Sequence, residues 1–411
     1  MSPEPITLLR DRRIILGVCG GIAAYKVADL ASKLTQAGAR VEAILTEAAT
    51  RFITPLTFSA LTGQPAYTDA DLWRHDRPLL HIRLSTEAHL LVIAPATADT
   101  LARLAHGRAD NLLTLTALAF RGPLLVAPAM DVAMWEHPAT QANVALLKER
   151  GLTFAGPAYG RMASGLVGQG RLLEATELLG HIRYQMGRDG PLSNRHVVVT
   201  AGPTREHLDP IRFISNPSSG RQGFALAQAA LDLGAQVTLI TGPVTLPTPI
   251  GAERVDVTTA QEMLEAVLAV APQADALLMA AAVADFRPTV QATRKIKKAG
   301  DETLSLPLER TPDILQAVAE QRMVTGRPQI VVGFAAETEE VVDRAREKLE
   351  RKRLDLIAAN DVSAPDAGFA VETNRVILVD RNQGVQTLPL LSKGQVAEII
   401  LGRVVEMLRE G

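Results

Sequence analysis

The stretch that decides the fold of this 411-residue chain is residues 13–45, RIILGVCGGIAAYKVADLASKLTQAGARVEAIL. Arg13–Val18 is apolar and rich in branched side chains, which is typical of a buried strand. A glycine-rich turn follows, and Ile22–Gln36 has the apolar spacing of a helix. Val41–Leu45 is typical of the next strand. The stretch therefore predicts a strand–helix–strand unit, whose crossover is almost always right-handed.

The same pattern returns in the second half of the chain. His196–Thr200 is typical of a strand, Gly223–Leu233 of a helix and Val237–Ile240 of the next strand. Between the two patterns, Gly187–Asn194 is rich in glycine, proline and polar residues, as linkers commonly are. We therefore place a domain boundary inside this segment.

Strands and helices continue to alternate in both halves. Further elements are predicted at Leu90–Ala94, Leu124–Ala127, Ala276–Ala282, Ile330–Phe334 and Leu356–Ala359 (buried strands), Arg375–Asp380 (a late edge strand) and Gly394–Arg409 (a closing helix). Such alternation predicts parallel sheets covered by helices on both faces, with ligands at the carboxyl ends of the strands. We expect an α/β fold of two tandem doubly wound, Rossmann-like domains, residues 1–190 and 191–411.

Composition argues against several classes of protein. The 43 basic and 45 acidic residues leave a net charge of −2, which disfavours a general electrostatic grip on nucleic acid or an anionic membrane. Cys19 is the single cysteine, so an internal disulfide and a cysteine-based zinc site are excluded, and we expect a cytoplasmic protein. The apolar stretch Ala276–Ala284 is about half of the ~20 residues that a membrane helix needs.

Three loops at successive strand ends predict a ligand site in the first half. Gly20–Gly21 precedes a helix, and glycine N–H groups together with a helix N-terminus suit a phosphate. Ala94–Thr100 and Ala127–Asp131 are the other two loops. Thr46, rather than an acidic residue, ends the second strand, so a ribose-binding carboxylate is missing there. The pattern favours a mononucleotide over a dinucleotide.

Four segments of the first half resemble the flavin-dependent cysteine decarboxylases, and among them the decarboxylase half of bifunctional coenzyme A biosynthesis proteins. The segments are GGIAAYK (20–26), HI (81–82), APATAD (94–99) and PAMDVAMW (128–135). The resemblance implies a flavodoxin-like flavoprotein domain, bound FMN, and trimeric packing with sites at subunit interfaces. It implies decarboxylation of 4′-phosphopantothenoylcysteine to 4′-phosphopantetheine through flavin oxidation of the thiol, loss of CO2 and final reduction.

The same resemblance assigns site residues. It implies FMN contacts at Gly20, Gly21, Ile22, Ala23, Thr46, Thr97 and Ala98, and catalytic positions at His81, Asp131 and Ser164. His81 would be the base, although a lone histidine taken by itself is more often structural.

Two of these positions depart from the family pattern, which has asparagine at 131 and cysteine at 164. An ionised Asp131 would repel the substrate carboxylate, whereas a raised pKa would keep it protonated and useful. The hydroxyl of Ser164 is a far weaker acid than a thiol, and Cys19 is a less favoured substitute donor. One alternative is therefore a ligase-only enzyme whose flavin-binding half is impaired in the final reduction.

An unusually long connection joins the first strand and helix of the second half, and such loops in compact domains are usually functional. It holds Arg205, Arg212 and Arg221, whose guanidinium groups bind phosphate or carboxylate. Further on, Asp285 follows a run of small residues at a strand end, where a ribose, a base or a metal would fit. Lys295–Lys298 is a basic cluster that could close over phosphates.

The second half resembles phosphopantothenate–cysteine ligase, the partner half of the same bifunctional proteins. The matching segments are AGPTRE (201–206), ISN (214–216), SSG (218–220), AAVAD (281–285), KIKK (295–298), GFAAET (333–338) and AND (359–361). The resemblance implies a nucleotide-binding ligase domain that packs as a dimer. The carboxylate of 4′-phosphopantothenate would attack the α-phosphate of CTP, with Mg²⁺ on the triphosphate, and the amine of cysteine would then displace CMP from the acyl-cytidylate.

The resemblance again implies residue roles. Asn216 matches the residue that holds the acyl intermediate, and Lys295 matches the catalytic lysine. Nucleotide contacts are implied at Met279, Ala280, Ala281, Asp285, Lys295, Pro312, Asp313, Ile314, Leu315, Phe334, Lys348 and Lys352, while the metal ligands stay unassigned. Lys348 and Lys352 are four residues apart, so they would share one helix face.

Two rival functions fit the bare fold. A nicotinamide-dependent dehydrogenase would also contain strand–helix–strand units, but the G-x-G-x-x-G fingerprint and its ribose carboxylate are missing. A non-enzymatic regulatory flavoprotein would resemble the first half, but it would not need the ligase motifs of the second half.

Overall fold

The computed structural model describes residues 6–76, 78–297, 305–337, 340–361 and 373–410. The chain divides into two compact units, Met1–Met186 and Gly187–Gly411.

The N-terminal unit alternates strands with helices. Its strands are β1 (Arg13–Val18), β2 (Arg40–Leu45), β3 (Ala66–Tyr67), β4 (Leu90–Ala96), β5 (Leu124–Pro128), β6 (Thr153–Phe154), β7 (Ala158–Arg161) and β8 (Val167–Arg171). Its helices are α1 (Ala24–Gln36), α2 (Pro55–Thr62), α3 (Leu80–Glu87), α4 (Ala98–Ala105), α5 (Leu112–Ala119), α6 (Val132–Glu136) and α7 (Pro138–Glu149), and α8 (Ala175–Gly187) follows at the boundary.

Six of these strands form one parallel sheet in the order β3-β2-β1-β4-β5-β6 within the described residues. Alternate residues of β1 enter different cores: Ile14 and Leu16 pack on one face of the sheet, and Ile15 packs on the other. Both faces are therefore buried, which explains why β1 is a continuous apolar run. The strand order reverses between β1 and β4, and this is where ligands bind in such folds.

The C-terminal unit is built in the same way. Its strands are β9 (His196–Ala201), β10 (Arg205–His207), β11 (Phe213–Ser215), β12 (Gln236–Thr241), β13 (Ala252–Asp256), β14 (Ala276–Met279), β15 (Phe286–Pro288), β16 (Leu308–Arg310), β17 (Ile330–Glu337), β18 (Leu356–Asp361), β19 (Thr373–Asn374), β20 (Val376–Asp380), β21 (Val385–Thr387) and β22 (Leu391–Ser392). Its helices are α9 (Arg221–Asp232), α10 (Ala260–Val270), α11 (Ile314–Thr325), α12 (Val341–Arg351) and α13 (Lys393–Glu410).

The main sheet of this unit has the order β13-β12-β9-β14-β17-β18-β20-β21 in the described part of the chain. The first six strands in this order, from β13 to β18, run parallel, as the alternation predicted. By contrast, β20 runs antiparallel to β18, and β21 runs antiparallel to β20. The prediction of an edge strand at 375–380 is wrong, because β21 pairs with the outer side of β20. A tight turn reverses the chain there, and the carboxylate of Asp380 accepts the N–H groups of Asn382 and Gly384 in it.

One element boundary also differs from the predictions. β14 ends at Met279 rather than at Ala282, because the N–H of Ala281 turns to the hydroxyl of Thr200, 3.2 Å away. α11 is capped by Asp313, whose carboxylate accepts the N–H of Gln316 at 3.1 Å. The hydroxyl of Thr311, which precedes this helix, donates to the carbonyl of Ala284.

Gly242 allows two loops to meet at the carboxyl end of the C-terminal sheet. A Cβ at this position would lie 1.8 Å from the carbonyl oxygen of Pro203. Gly242→Ala must therefore displace backbone, and we expect it to lower the free energy of unfolding by about 1–3 kcal/mol. Gly402→Ala is the matched control, since a Cβ there meets nothing within 4 Å and alanine favours the helix by about 0.5–1 kcal/mol. Thermal unfolding of the two variants tests this; equal stability would contradict the packing described here.

Candidate functional site

The glycine-rich turn that was predicted to bind a phosphate lies between β1 and α1 of the N-terminal unit. A Cβ on Gly20 would lie 2.4 Å from the Cβ of Ala48, so only glycine fits beneath the loop that follows β2. Gly21 is different, because a Cβ there would meet nothing within 4 Å. Ile22 and Ala23 lead from this open turn into α1, which begins at Ala24. The turn therefore presents backbone to open space on one side and packs tightly on the other.

The loops after β2 and β4 lie beside this turn, because β2 and β4 are the two neighbours of β1. The hydroxyl oxygen of Thr46 accepts the N–H of Ala49 at 3.3 Å. The hydroxyl oxygen of Thr97 caps α4 by accepting the N–H of Thr100, also at 3.3 Å, with Ala98 as the first helical residue. The fold thus brings together the strand ends that carry every residue predicted to contact FMN.

His81 lies in the first turn of α3, away from these strand ends in the chain. Its Nδ1 is buried and has no hydrogen-bond partner among the described residues. A buried ring nitrogen without a partner is uncommon in proteins, because it loses hydration without compensation. Within the described residues, no hydrogen bond joins the side chain of His81 to the three loops.

Asp131 and Ser164, the two positions that depart from the family pattern, contact each other. The hydroxyl of Ser164 donates to Oδ2 of Asp131 at 2.5 Å, and the N–H of Ala133 donates to Oδ1 at 3.1 Å. These two hydrogen bonds lower the pKa of Asp131, since they stabilise the ionised carboxylate. Of the two states that the sequence left open for Asp131, the lowered pKa favours the ionised one.

Ser164 belongs to the turn of the β7–β8 hairpin, and this hairpin is fastened to the loop after β5. The N–H of Met130 donates to the carbonyl of Gly170 at 3.0 Å. A Cβ on Gly170 would lie 2.3 Å from the carbonyl oxygen of Met130, so the two backbones touch. The indole of Trp135 donates to Gln169 at 3.4 Å. The pairing of Asp131 with Ser164 is thus one contact of a packed hairpin.

Cys19 does not offer the alternative proton donor. Its side chain is 1% exposed, and the hydroxyl of Thr100 donates to its sulfur at 3.2 Å. Burial raises the pKa of its thiol to about 11, because a thiolate would lose its hydration. The cysteine is a core residue beneath the turn.

In the C-terminal unit, Asn216 follows the β10–β11 hairpin. Its amide Nδ2 donates to the carbonyl of Val283 at 2.9 Å, which joins it to the loop after β14. In the same loop region, the hydroxyl of Ser215 donates to the carbonyl of Thr204 at 2.7 Å. Asn216 is therefore held against the segment that was predicted to contact the nucleotide.

The predicted nucleotide-binding residues form one connected group. Met279 ends β14, and Ala280 and Ala281 continue from it toward Asp285. The carbonyl of Asp285 accepts the N–H of Thr311 at 3.0 Å, which places Pro312, Asp313, Ile314 and Leu315, the start of α11, beside it. Met279 and Leu315, which are more than thirty residues apart in the sequence, therefore belong to loops at the same end of the sheet.

Two lysines connect α12 to this group. Nζ of Lys348 donates to the carbonyl of Phe334 at 2.8 Å. Lys352 caps the C-terminus of α12 and forms an ion pair with Asp313. Lys348 and Lys352 therefore reach the same region from one side of the helix, and both ammonium groups already have protein partners.

The basic segment after β15 is fixed through its backbone. Lys295 and Lys297 have exposed side chains, and Ile296 lies between them. The N–H of Ile296 donates to Asp209 at 3.1 Å, and its carbonyl accepts from Arg212 at 2.8 Å. Lys298 lies outside the described residues.

Sequence reasoning proposed Arg212 as a phosphate or carboxylate ligand and missed Asp209 altogether. The structure pairs the two residues with each other. The sequence does contain a signal for the role of Asp209, since the aspartate is followed by proline and, three positions after the aspartate, by arginine. An aspartate at the start of such a turn binds the N–H groups that follow it.

The described ranges contain no group of three or more His, Cys, Asp or Glu side chains that could hold a metal ion. No helix in them is long and apolar enough to cross a membrane.

Comparison with known families defines the class of protein. Residues 4–186 match the family model described as Flavoprotein, and residues 192–408 match the one described as DNA/pantothenate metabolism flavoprotein C-terminal domain. The protein is therefore a flavoprotein-type domain followed by a pantothenate-metabolism domain, which confirms the predicted fold class and the predicted flavin-binding class of the first half.

Full-length relatives narrow the class to one family. The coenzyme A biosynthesis bifunctional protein CoaBC of Vibrio vulnificus (strain CMCP6) is 45% identical over 397 residues, which are 96% of this chain and 98% of the relative. The protein of the same name from Bacillus subtilis (strain 168) is 45% identical over 406 residues, 98% of this chain and 99% of the relative. This chain belongs to the family of bifunctional coenzyme A biosynthesis proteins.

A solved structure matches the second half alone. It is the C-terminal domain of a coenzyme A biosynthesis bifunctional protein CoaBC, 38% identical, with a TM-score of 0.46 over 54% of this chain and 100% of that chain. The prediction of a bifunctional enzyme of coenzyme A biosynthesis is confirmed by the full-length relatives. The dehydrogenase, the regulatory flavoprotein and the ligase-only enzyme are not favoured.

Proposed function

We propose that the C-terminal unit joins 4′-phosphopantothenate to cysteine at the expense of CTP. The observation that carries this proposal is the hydrogen bond of Asn216 to the carbonyl of Val283. This bond joins a side-chain amide to the segment from Met279 to Asp285, whose small residues suit the close approach of a nucleotide. A nucleotide and an acyl group would then meet at the carboxyl edge of the sheet, as expected for this fold.

The reaction follows from the chemistry of these groups. The substrate carboxylate attacks the α-phosphate of CTP, pyrophosphate leaves, and an acyl-cytidylate forms. One N–H of Asn216 is used by Val283, so its second N–H remains to donate to the acyl phosphate. The ammonium group of Lys295 is exposed and would neutralise charge that builds up on the phosphate in the transition state. The amine of cysteine then attacks the acyl carbon, and CMP leaves.

Mg²⁺ would accompany the triphosphate. Magnesium keeps several of its waters and is commonly held by substrate phosphates together with one or two carboxylates. A site of that kind needs no cluster of protein ligands, which fits the described residues. Asp285 is the carboxylate within the proposed nucleotide segment.

The first test removes the proposed catalytic lysine. Lys295→Ala should lower the rate of CTP- and cysteine-dependent pyrophosphate release by about 10²–10³-fold, because one charged donor to the transition state is lost. Lys297→Ala is the matched comparison, since it removes an exposed cation from the same segment and should cost at least tenfold less. Equal losses in the two variants, or unchanged turnover of Lys295→Ala, would contradict the assignment.

For the N-terminal unit we propose FMN-dependent decarboxylation of 4′-phosphopantothenoylcysteine to 4′-phosphopantetheine. The open turn at Gly21, the hydroxyls of Thr46 and Thr97, and the junction between β1 and β4 fit a flavin mononucleotide. Bound FMN would accept two electrons from the substrate thiol and return them after CO2 has left. The unpartnered Nδ1 of His81 suits a residue that completes its contacts with a ligand or a neighbouring subunit.

Asp131 and Ser164 would work as a pair in this half. In the family pattern an amide and a thiol stand at these positions, whereas here an ionised carboxylate accepts a hydrogen bond from a hydroxyl. The carboxylate orients the hydroxyl, and the hydroxyl in turn shields the charge from the substrate carboxylate. Each residue therefore depends on the other.

Product analysis by mass spectrometry tests the pair. Wild-type protein with FMN should turn over 4′-phosphopantothenoylcysteine to fully reduced 4′-phosphopantetheine. Ser164→Ala should leave Asp131 unshielded and slow turnover by about 10²-fold, the scale of one proton-transfer or hydrogen-bonding group. The double variant Asp131→Asn/Ser164→Cys, which restores the family pattern, should recover most of the rate. Accumulation of an unreduced product by the wild type would refute the complete reaction.

We also propose that the protein is a homo-oligomer of the cytoplasm, built on trimers of the N-terminal unit and dimers of the C-terminal unit. Its partners would be small molecules, and neither nucleic acid nor membrane. Large apolar side chains of the N-terminal unit are exposed: Ile22, Tyr25, Phe52, Leu56, Trp73, Leu79 and Ile82. Where such side chains form a contiguous patch, another subunit commonly covers it.

Light scattering of the full chain measures this assembly. The wild type should have the mass of a multiple of three chains. Leu56 is 74% exposed on α2, and Leu56→Asp should lower the mass because it places a charge in the proposed interface. Val324→Asp, at an 88% exposed apolar residue of the C-terminal unit, is the control. A monomeric wild type would contradict the proposal.

A further inference from the structure

The turn between β10 and β11 contains a fully buried carboxylate. Asp209 is 0% exposed, and its Oδ1 accepts the N–H groups of Ile211 and Arg212, both at 2.8 Å. Its Oδ2 accepts Nε and Nη2 of Arg212 at 3.0 and 2.6 Å. A two-pronged pair of this kind fixes both side chains in one geometry.

The same two side chains hold the backbone of a segment more than eighty residues away. Oδ2 of Asp209 accepts the N–H of Ile296 at 3.1 Å, and Nη2 of Arg212 donates to the carbonyl of Ile296 at 2.8 Å. A third bond, from the N–H of Ala292 to the carbonyl of Leu208, joins the two segments at 2.9 Å. The N–H and the carbonyl of Ile296 are therefore both hydrogen-bonded to the pair of Asp209 and Arg212.

This arrangement acts on the neighbours of Ile296 in particular. Lys295 and Lys297 stand on either side of it with exposed side chains. A long flexible lysine reaches a phosphate in a fixed geometry only if its backbone is fixed. Hydrogen bonds from Arg212 and the neighbouring N–H groups, with that of Ile296, keep the pKa of Asp209 far below its ordinary value. The holding charge therefore persists at every working pH.

We propose that Asp209 and Arg212 are positioning residues of the nucleotide-activating step, which clamp the Ile296 backbone and so set the ammonium group of Lys295. This inference rests on the proposed function, because it assigns the clamp its purpose through Lys295. Arg212 is thus used to hold the protein rather than a substrate phosphate. A misplacement of about 1 Å at a reacting group costs on the order of 10²-fold in rate, which is the scale of effect that the clamp would prevent.

The clamp is tested in the full-length protein with Asp209→Asn. The amide turns one acceptor into a donor, which faces the donors of Arg212 and Ile296. We expect kcat for pyrophosphate release to fall by about 10²-fold while KM for CTP stays within about threefold, because the lost interaction acts in the transition state. A large rise in KM with unchanged kcat would instead make the pair a ground-state binding element and would overturn the inference.

A double-mutant cycle separates positioning from general structural damage. If Asp209 acts through Lys295, Asp209→Asn should cost little further in the Lys295→Ala background. Multiplicative losses in the double variant would overturn the clamp. If the wild type released no pyrophosphate in the presence of CTP and cysteine, the proposed function would fail instead, so the two failures are distinguishable.

Arg212→Lys repeats the cycle if Asp209→Asn does not fold. It keeps the positive charge but removes the planar fork, and the side chain of Arg212 is 41% exposed, so the packing cost is small. The same coupling with Lys295→Ala is expected. Independent losses of Arg212→Lys and Lys295→Ala would refute the positioning role.

Discussion

Parallel pairing of a central strand with two neighbours is the constraint on which each unit depends. β1 pairs with β2 and β4, and β9 pairs with β12 and β14. Since parallel strands all end at the same edge, loops that are distant in sequence converge there. Both candidate sites are consequences of this geometry. The two faces of each sheet are buried by helices, so the edge at the strand ends is the place left for chemistry.

At the amino ends of the strands of the C-terminal sheet, buried carboxylates accept backbone N–H groups. Asp275 accepts the N–H of His196 at 2.8 Å and pairs with Arg195 and Arg327. Asp355 accepts the N–H of Val331 at 2.8 Å in the same way. These groups satisfy the strand beginnings, and a buried charge is tolerated because it is fully paired. Asp209 is also buried and fully paired, and it lies at the opposite end of the unit's strands. One of its partners, the N–H of Ile296, belongs to the segment of Lys295.

The Asp131–Ser164 contact changes how two departures from a family pattern are judged. Taken singly, each position looks like a loss: an amide replaced by a charge, and a thiol replaced by a weak acid. The structure joins them by a hydrogen bond that spans 33 residues of chain. A pair of substitutions that contact each other is better understood as one altered interaction than as two defects.

The sequence by itself determined most of the main strands and helices, because hydrophobic periodicity and turn chemistry are local properties. Its motifs indicated the family through their resemblance to known proteins. It also predicted Asn216 and Lys295 as site residues, and these roles remain predictions. Only the tertiary structure decided that β20 runs antiparallel inside the sheet, that the pKa of Asp131 is lowered and that Asp209 holds Ile296. Each of these depends on groups far apart in the chain, and no local pattern records which distant donor a carboxylate will meet.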